Sequence, residues 1–259
     1  MTLQNQPALR LRETTRLADV DEVLESIASL RAAHRHFEFF AFPHTRAAMT
    51  LSTDEADADV PIDLGDEARE VELLRDVYRM VGGFPGFGDW LYQRLLQAGV
   101  DDAPIHRTGP SWAVLTHVRL SRFREMEYTV PAEAGPDCLR EILATIVERR
   151  IPIVFPIEYR YVKGDDVWLS MFHARDGCSI SLHQYADQDH RPYFDAMEPI
   201  FWKYDGRPHW GKLHGLGAER LAGLYPRWRD FLEVRAELDP DGRMLNDHLA
   251  HVFGARRRS

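Results

Sequence analysis

Apolar residues first recur at helical spacing after residue 19. Val20, Val23, Leu24, Ile27 and Leu30 line one face and predict an amphipathic helix over about 19–34. The residues before it, PALRLRETT, alternate apolar and charged positions and read as an exposed strand entering from elsewhere. HFEFFAF at 36–42 places Phe37, Phe39 and Phe42 on a strand. Residues 52–66 are acidic and turn-rich and read as a loop or lid. Two helical stretches follow at 67–98, broken by GGFPGFG. Residues 111–131 read as mostly extended, and Pro136 opens a helix at 137–150. A meander comes next, with strands at 153–162, 166–174 and 178–186 and a hairpin turn at Lys163-Gly164-Asp165. Helices follow at 191–204 and about 218–237, and DPDGRMLNDHLAHVF closes the chain. The predicted class is α+β, a large and mainly antiparallel sheet flanked by helices.

Composition narrows the function classes. The 259 residues can bury a sizeable core, and 44% apolar against 28% charged residues fits a globular chain. A net charge of −9 argues against a nucleic-acid binder, which needs a basic face. Two cysteines, Cys138 and Cys178, are too few for a disulfide framework. The start lacks the apolar core of a signal peptide, and no run of residues is long and apolar enough to span a bilayer. There is no GxxxxGK[ST] loop, HExxH or GxSxG. His173 and His183 read as partly buried polar side chains rather than a zinc pair, so no metal is expected. Twelve histidines and six tryptophans are the one unusual supply.

Three segments are polar where a structural role would favour apolar residues. In FPIEYRYV, Glu158 and Arg160 share one face of a strand. They suit either a structural salt bridge or a polar ligand. In SISLHQY, His183 and Tyr185 likewise share a face. A carboxylate, a guanidinium, an imidazole and a phenol on neighbouring strands could hold a polyhydroxylated ligand. In GRPHWGKLH at 206–214, Arg207, His209, Trp210, Lys212 and His214 crowd within eight positions. A lysine there offers a compact charge to a developing anion. The alternative is a basic loop around a buried Trp.

RPHWGKLH, followed by the segment at 225–249, closely resembles the carboxyl end of the sugar-lactone and alditol oxidases. That family includes D-arabinono-1,4-lactone, L-gulonolactone and alditol oxidases, within the vanillyl-alcohol-oxidase flavoprotein superfamily. The pieces LRETTRLADVDEVLESIASLRAAHRHFEFFAFPHT, FREMEYTVP, FPIEYRYV and SLHQY agree in order, from about residue 8 to 254. The resemblance implies an FAD-dependent oxidase that takes hydride from a sugar-derived C–OH carbon and passes the electrons to oxygen. Lys212, Arg160 and Glu158 match the family's catalytic positions. His183 and Tyr185 match substrate-pocket positions, Tyr185 where alditol oxidases carry a different polar residue. His209, Trp210 and Lys212 match the flavin-facing motif.

The resemblance also implies a division of the chain. Residues 1–206 would form the substrate-binding cap domain, and 207–259 a terminal segment packing toward a flavin domain. The FAD-binding domain itself is absent from the matched region. A separate FAD-binding domain or subunit is therefore the implied partner, beside the sugar-derived substrate. Self-association through an exposed apolar face is also expected. The implied location is cytoplasmic, with peripheral membrane contact open. The rival reading is a sugar-binding or partner-binding remnant without flavin.

Overall fold

The computed structural model describes residue 4 and residues 8–64, 104–116, 122–153 and 155–255. The helices expected at 67–98 and the GGFPGFG break lie outside the described residues. The strands are β1 (Arg10–Asp19), β2 (His36–Ala41), β3 (Ala47–Glu55), β4 (Ile105–Pro110), β5 (Phe123–Pro131), β6 (Ile157–Val162), β7 (Gly177–Tyr185) and β8 (Arg207–Pro208). The helices are α1 (Val20–Ala33), α2 (Ser111–Val114), α3 (Gly135–Glu148), α4 (Arg191–Lys203), α5 (Ala218–Leu224), α6 (Trp228–Leu238) and α7 (Asp247–Phe253). The strand order is β4-β1-β3-β2-β6-β7-β5-β8. The pairings of β1 with β3 and β4, β2 with β3 and β6, and β5 with β8 are antiparallel. The α+β class expected from the sequence is the observed one.

Compactness divides the chain into two units. The first comprises 1–123, 143–160 and 183–188; the second comprises 124–142, 161–182 and 189–259. Strands β6 and β7 each contribute to both units.

In the first unit, α1 buries Val20, Val23, Leu24 and Ile27, the stripe read from the sequence. Asp19 caps it by accepting from the amides of Asp21 and Glu22 at 2.9 and 3.4 Å. Arg46 donates to the same carboxylate at 2.8 Å and is the main reason its pKa lies below the usual aspartate range. Phe39 on β2 is fully buried and stacks on Tyr159 of β6, with centroids 4.6 Å apart. In the second unit, Tyr128 of β5 stacks on Phe201 of α4 at 4.9 Å. Leu139 and Ile142 of α3 and Met197 of α4 are fully buried.

Several sequence expectations need correction. β1 is not an exposed lead-in, since β3 and β4 flank it on both sides. The loop or lid expected over 52–66 is shorter: Ser52, Thr53 and Asp54 belong to β3, opposite Thr14, Glu13 and Arg12. Their polarity is matched by polar partners on β1, so it does not mark a loop. Residues 166–174 are turns rather than a strand, with only an isolated Asp165–His173 bridge. The helix expected over 218–237 is broken into α5 and α6 at Tyr225-Pro226-Arg227. Proline has no N–H for the helix ladder and its ring clashes with the preceding turn.

Candidate functional site

In the first unit, strand alternation puts Glu158 and Arg160 on one face of β6, as expected. Arg160 Nη1 lies 3.4 Å from Glu158 Oε1, with the Glu158 side chain 7% exposed and that of Arg160 35%. The two residues stand opposite Phe40 and Glu38 of β2. His183 is buried on β7, with Nδ1 3.3 Å from the Pro156 carbonyl. Its ring stacks on Phe155 and meets Phe123 edge-on, at 4.9 and 5.1 Å. A His183 ring nitrogen and a Glu158 carboxylate oxygen come within 4.8 Å. Tyr185 packs on the same Phe155 at 5.0 Å. Its phenol pKa is raised by burial and then by the charge of Asp187. Phe155 and Phe123 therefore make an aromatic wall against which the imidazole and the phenol are set.

In the second unit, the RPHWGKLH segment runs along β5. Arg207 and Pro208 pair with Thr129 and Tyr128. His209 then donates its amide to the Glu127 carbonyl and Leu213 to the Glu125 carbonyl, both at 2.9 Å. The five polar side chains of the segment take different tasks. Arg207 is buried and donates to the main-chain carbonyls of Leu224, Met171 and His173 at 2.9, 3.3 and 2.8 Å. Trp210 donates its indole N–H to the Leu169 carbonyl at 2.7 Å and packs among Tyr225, Trp228 and Phe253. His209 Nδ1 accepts from the Gly211 amide at 3.1 Å. His214 Nδ1 accepts from the Leu216 amide at 3.2 Å.

Lys212 is the reactive-looking member. Its ammonium donates to Glu125 Oε1 and to Glu127 Oε2, and its side chain is 19% exposed. Neither carboxylate stood out in the sequence. A signal is present: in FREMEYTVP, Glu125 and Glu127 are two apart and so share one strand face, the same spacing that draws attention to Glu158 and Arg160.

Trp210 has spent its N–H and most of its ring on packing. Lys212 has three N–H groups, of which two go to carboxylates, so among the described residues one remains for an anionic or oxygen-rich group. An ammonium of this kind suits a cofactor that becomes electron-rich during turnover. Large apolar side chains stand exposed at Trp112, Leu238 and Met244. No helix among the described residues is long and apolar enough to cross a membrane.

The fold resembles that of part of the chain in vanillyl-alcohol-oxidase-type flavoproteins. It resembles a cholesterol oxidase from Brevibacterium sterolicum, with a TM-score of 0.68 and 14% identity over 95% of this chain and 60% of that one. A VAO-type flavoprotein from Myceliophthora thermophila gives a TM-score of 0.53 at 12% identity, over 90% and 46% of the two chains. Within that class, residues 1–252 match the family described as D-arabinono-1,4-lactone oxidase, and the chain belongs to it. It is 34% identical over 98% of its length to an L-gulono-1,4-lactone dehydrogenase of Mycobacterium tuberculosis, covering 60% of that protein. It is 27% identical to the L-gulonolactone oxidase of Bos taurus, covering 98% of this chain and 59% of the relative. The chain thus spans about 60% of the length of these relatives.

Proposed function

We propose that this chain is the substrate-binding part of an FAD-dependent oxidoreductase that oxidises the CH–OH group of an aldonolactone or alditol, with oxygen as acceptor and D-arabinono-1,4-lactone as the type substrate. The observation that carries this reading is Lys212, a shielded ammonium held by two carboxylates on the motif that the family match covers. FAD, when bound, accepts the hydride from the substrate carbon; most of its binding surface would come from a domain or subunit other than the segments described here.

The chain's own residues bind and orient. The Glu158–Arg160 pair supplies an acceptor and a fork of donors to sugar hydroxyls. His183, held against Phe155, offers a polar ring edge with a fixed orientation, and Tyr185 adds a hydroxyl. Lys212 turns its remaining N–H toward the oxygen or ring on which negative charge develops. His209, with Nδ1 taken by Gly211, is left with Nε2 for a cofactor contact.

The test is anaerobic mixing of the FAD-loaded complex, formed by this chain and its flavin-binding domain or subunit, with a panel of aldonolactones and alditols, followed by loss of flavin absorbance. Lys212→Ala should slow flavin reduction by about 10²–10³, the usual cost of one preorganised donor. An unchanged reduction rate removes Lys212 from the chemistry. Oxygen uptake during turnover checks the acceptor; turnover with a dye alone would replace oxygen by another acceptor.

A further inference from the structure

The buried partner of Lys212 has no assigned purpose. Strand alternation on β5 sends Glu125, Glu127 and Thr129 to one face and Met126, Tyr128 and Val130 to the other. The Glu127 side chain is 2% exposed, against 15% for Glu125. Ser181 of β7 donates its hydroxyl to Glu127 Oε2 at 2.9 Å, and one step along the ladder Thr129 Oγ1 and Ser179 Oγ lie 2.7 Å apart. A buried carboxylate is costly, and a well-packed apolar residue often serves stability as well or better. A fold that keeps Glu127 here is keeping an oriented charge.

The geometry shows what that charge orients. The main chain around Lys212 is fixed at both ends, by its own amide to the His209 carbonyl at 3.1 Å and by Leu213 to Glu125. The flexible stem between that anchor and Nζ would still sample several rotamers. Two carboxylates on one strand face, one of them locked by Ser181, take two of the three ammonium N–H groups and so set the direction of the third. The choice of lysine is itself selective: the chain has three lysines, Lys163, Lys203 and Lys212, among 32 basic residues. Lys163 and Lys203 are exposed, and Lys212 is the one set inside.

We propose that Glu127, locked by Ser181, is a positioning residue that aims the Lys212 ammonium. This rests on the role for Lys212 argued above. It acts through Lys212 and is not assigned contact with substrate or cofactor.

Two readouts test it. The first needs no cofactor: acetylation of the lysines by a water-soluble succinimidyl ester, followed residue by residue with mass spectrometry. Glu127→Gln keeps the shape and removes the charge, and should raise Lys212 labelling about tenfold relative to Lys163 and Lys203, the scale of one lost hydrogen bond to a charged group. Ser181→Ala should raise it by a smaller factor, and covers the case in which Glu127→Gln does not fold. The second readout is the kinetics of the FAD-loaded enzyme. A mispointed ammonium lowers kcat with KM nearly unchanged, whereas general loosening moves both. Unchanged Lys212 labelling together with unchanged kcat in the folded variants overturns the proposal. If Lys212→Ala itself leaves turnover intact, the functional reading fails, while the labelling still decides whether Glu127 holds Lys212.

Discussion

The guanidinium of Arg207 donates to the main-chain carbonyl of His173 at 2.8 Å. Its other bonds go to the Met171 and Leu224 carbonyls, and Arg207 is 6% exposed. One side chain therefore ties the 166–174 turns and the end of α5 to β8. Carbonyls that accept from a side chain need no strand partner, and this explains how a segment with strand-like composition settles as turns. Lysine cannot reproduce a planar fork of donors. Arg207→Lys is expected to lower stability by about 1.5–3 kcal/mol, the loss of charge-assisted bonds at a buried site, read as a lower urea midpoint at unchanged m-value.

This residue also shows how far the sequence could be read. The RPHWGKLH cluster is recognisable as unusual, but its division of labour is not, because the partners of Arg207, Trp210 and Lys212 lie far away in the chain. Arg207 and Trp210 meet carbonyls 34 and 41 positions upstream, and Lys212 meets Glu127 at a separation of 85. Glu158 and Arg160 were legible because the pairing is local, two residues apart on one strand face. α1 was legible because its stripe is long and its cap is adjacent. β3 and β4 escaped notice because AAMTLSTDE and IHRTGP carry little apolar alternation; their place comes from ladder partners on β1.

Lys212→Arg should not rescue turnover. A guanidinium can satisfy both Glu125 and Glu127 in its fork, but its charge is spread and its remaining donors lie in a fixed plane. We expect flavin reduction to slow by about tenfold or more, with the fold intact, on the scale of a misplaced catalytic donor. Stopped-flow absorbance alongside a melting curve separates the two quantities. Wild-type reduction rates in Lys212→Arg would mean that any cation suffices there.

Tyr128 and Glu198 form a buried latch behind the same loop. The Tyr128 hydroxyl donates to Glu198 Oε1 at 2.5 Å, and the Gly215 amide donates to the same oxygen at 2.5 Å. Burial and then the neighbouring carboxylate raise the phenol's pKa, so it remains a donor. Tyr128→Phe removes one of the two donors to an acid that is 7% exposed. The expected cost is about 1–3 kcal/mol, measured by denaturant unfolding. Gly215→Ala should also be destabilising, because a Cβ there would fall 2.7 Å from Glu198 Oε2. A double variant that costs less than the two singles added together would show that both act on the one carboxylate.

His214 gives the latch loop a pH dependence of known sign. Burial, followed by the charges of His248 and His251, lowers its pKa below the ordinary histidine value of 6.5. The Nδ1 atom accepts from the Leu216 amide, while Nε2 is buried without a hydrogen-bond partner among the described residues. The folded state therefore favours the neutral ring, and the unfolded chain takes up the proton first as pH falls. Stability from this group is fully present above about pH 6.5 and is lost as pH drops toward the folded pKa. Urea unfolding at a series of pH values between about 7.5 and 5 should show a decline that is shallower in His214→Gln. The difference between the two proteins isolates His214 from His36 and His106, whose pKa values burial also lowers. Parallel curves for wild type and variant across that range would remove His214 as a source of acid sensitivity.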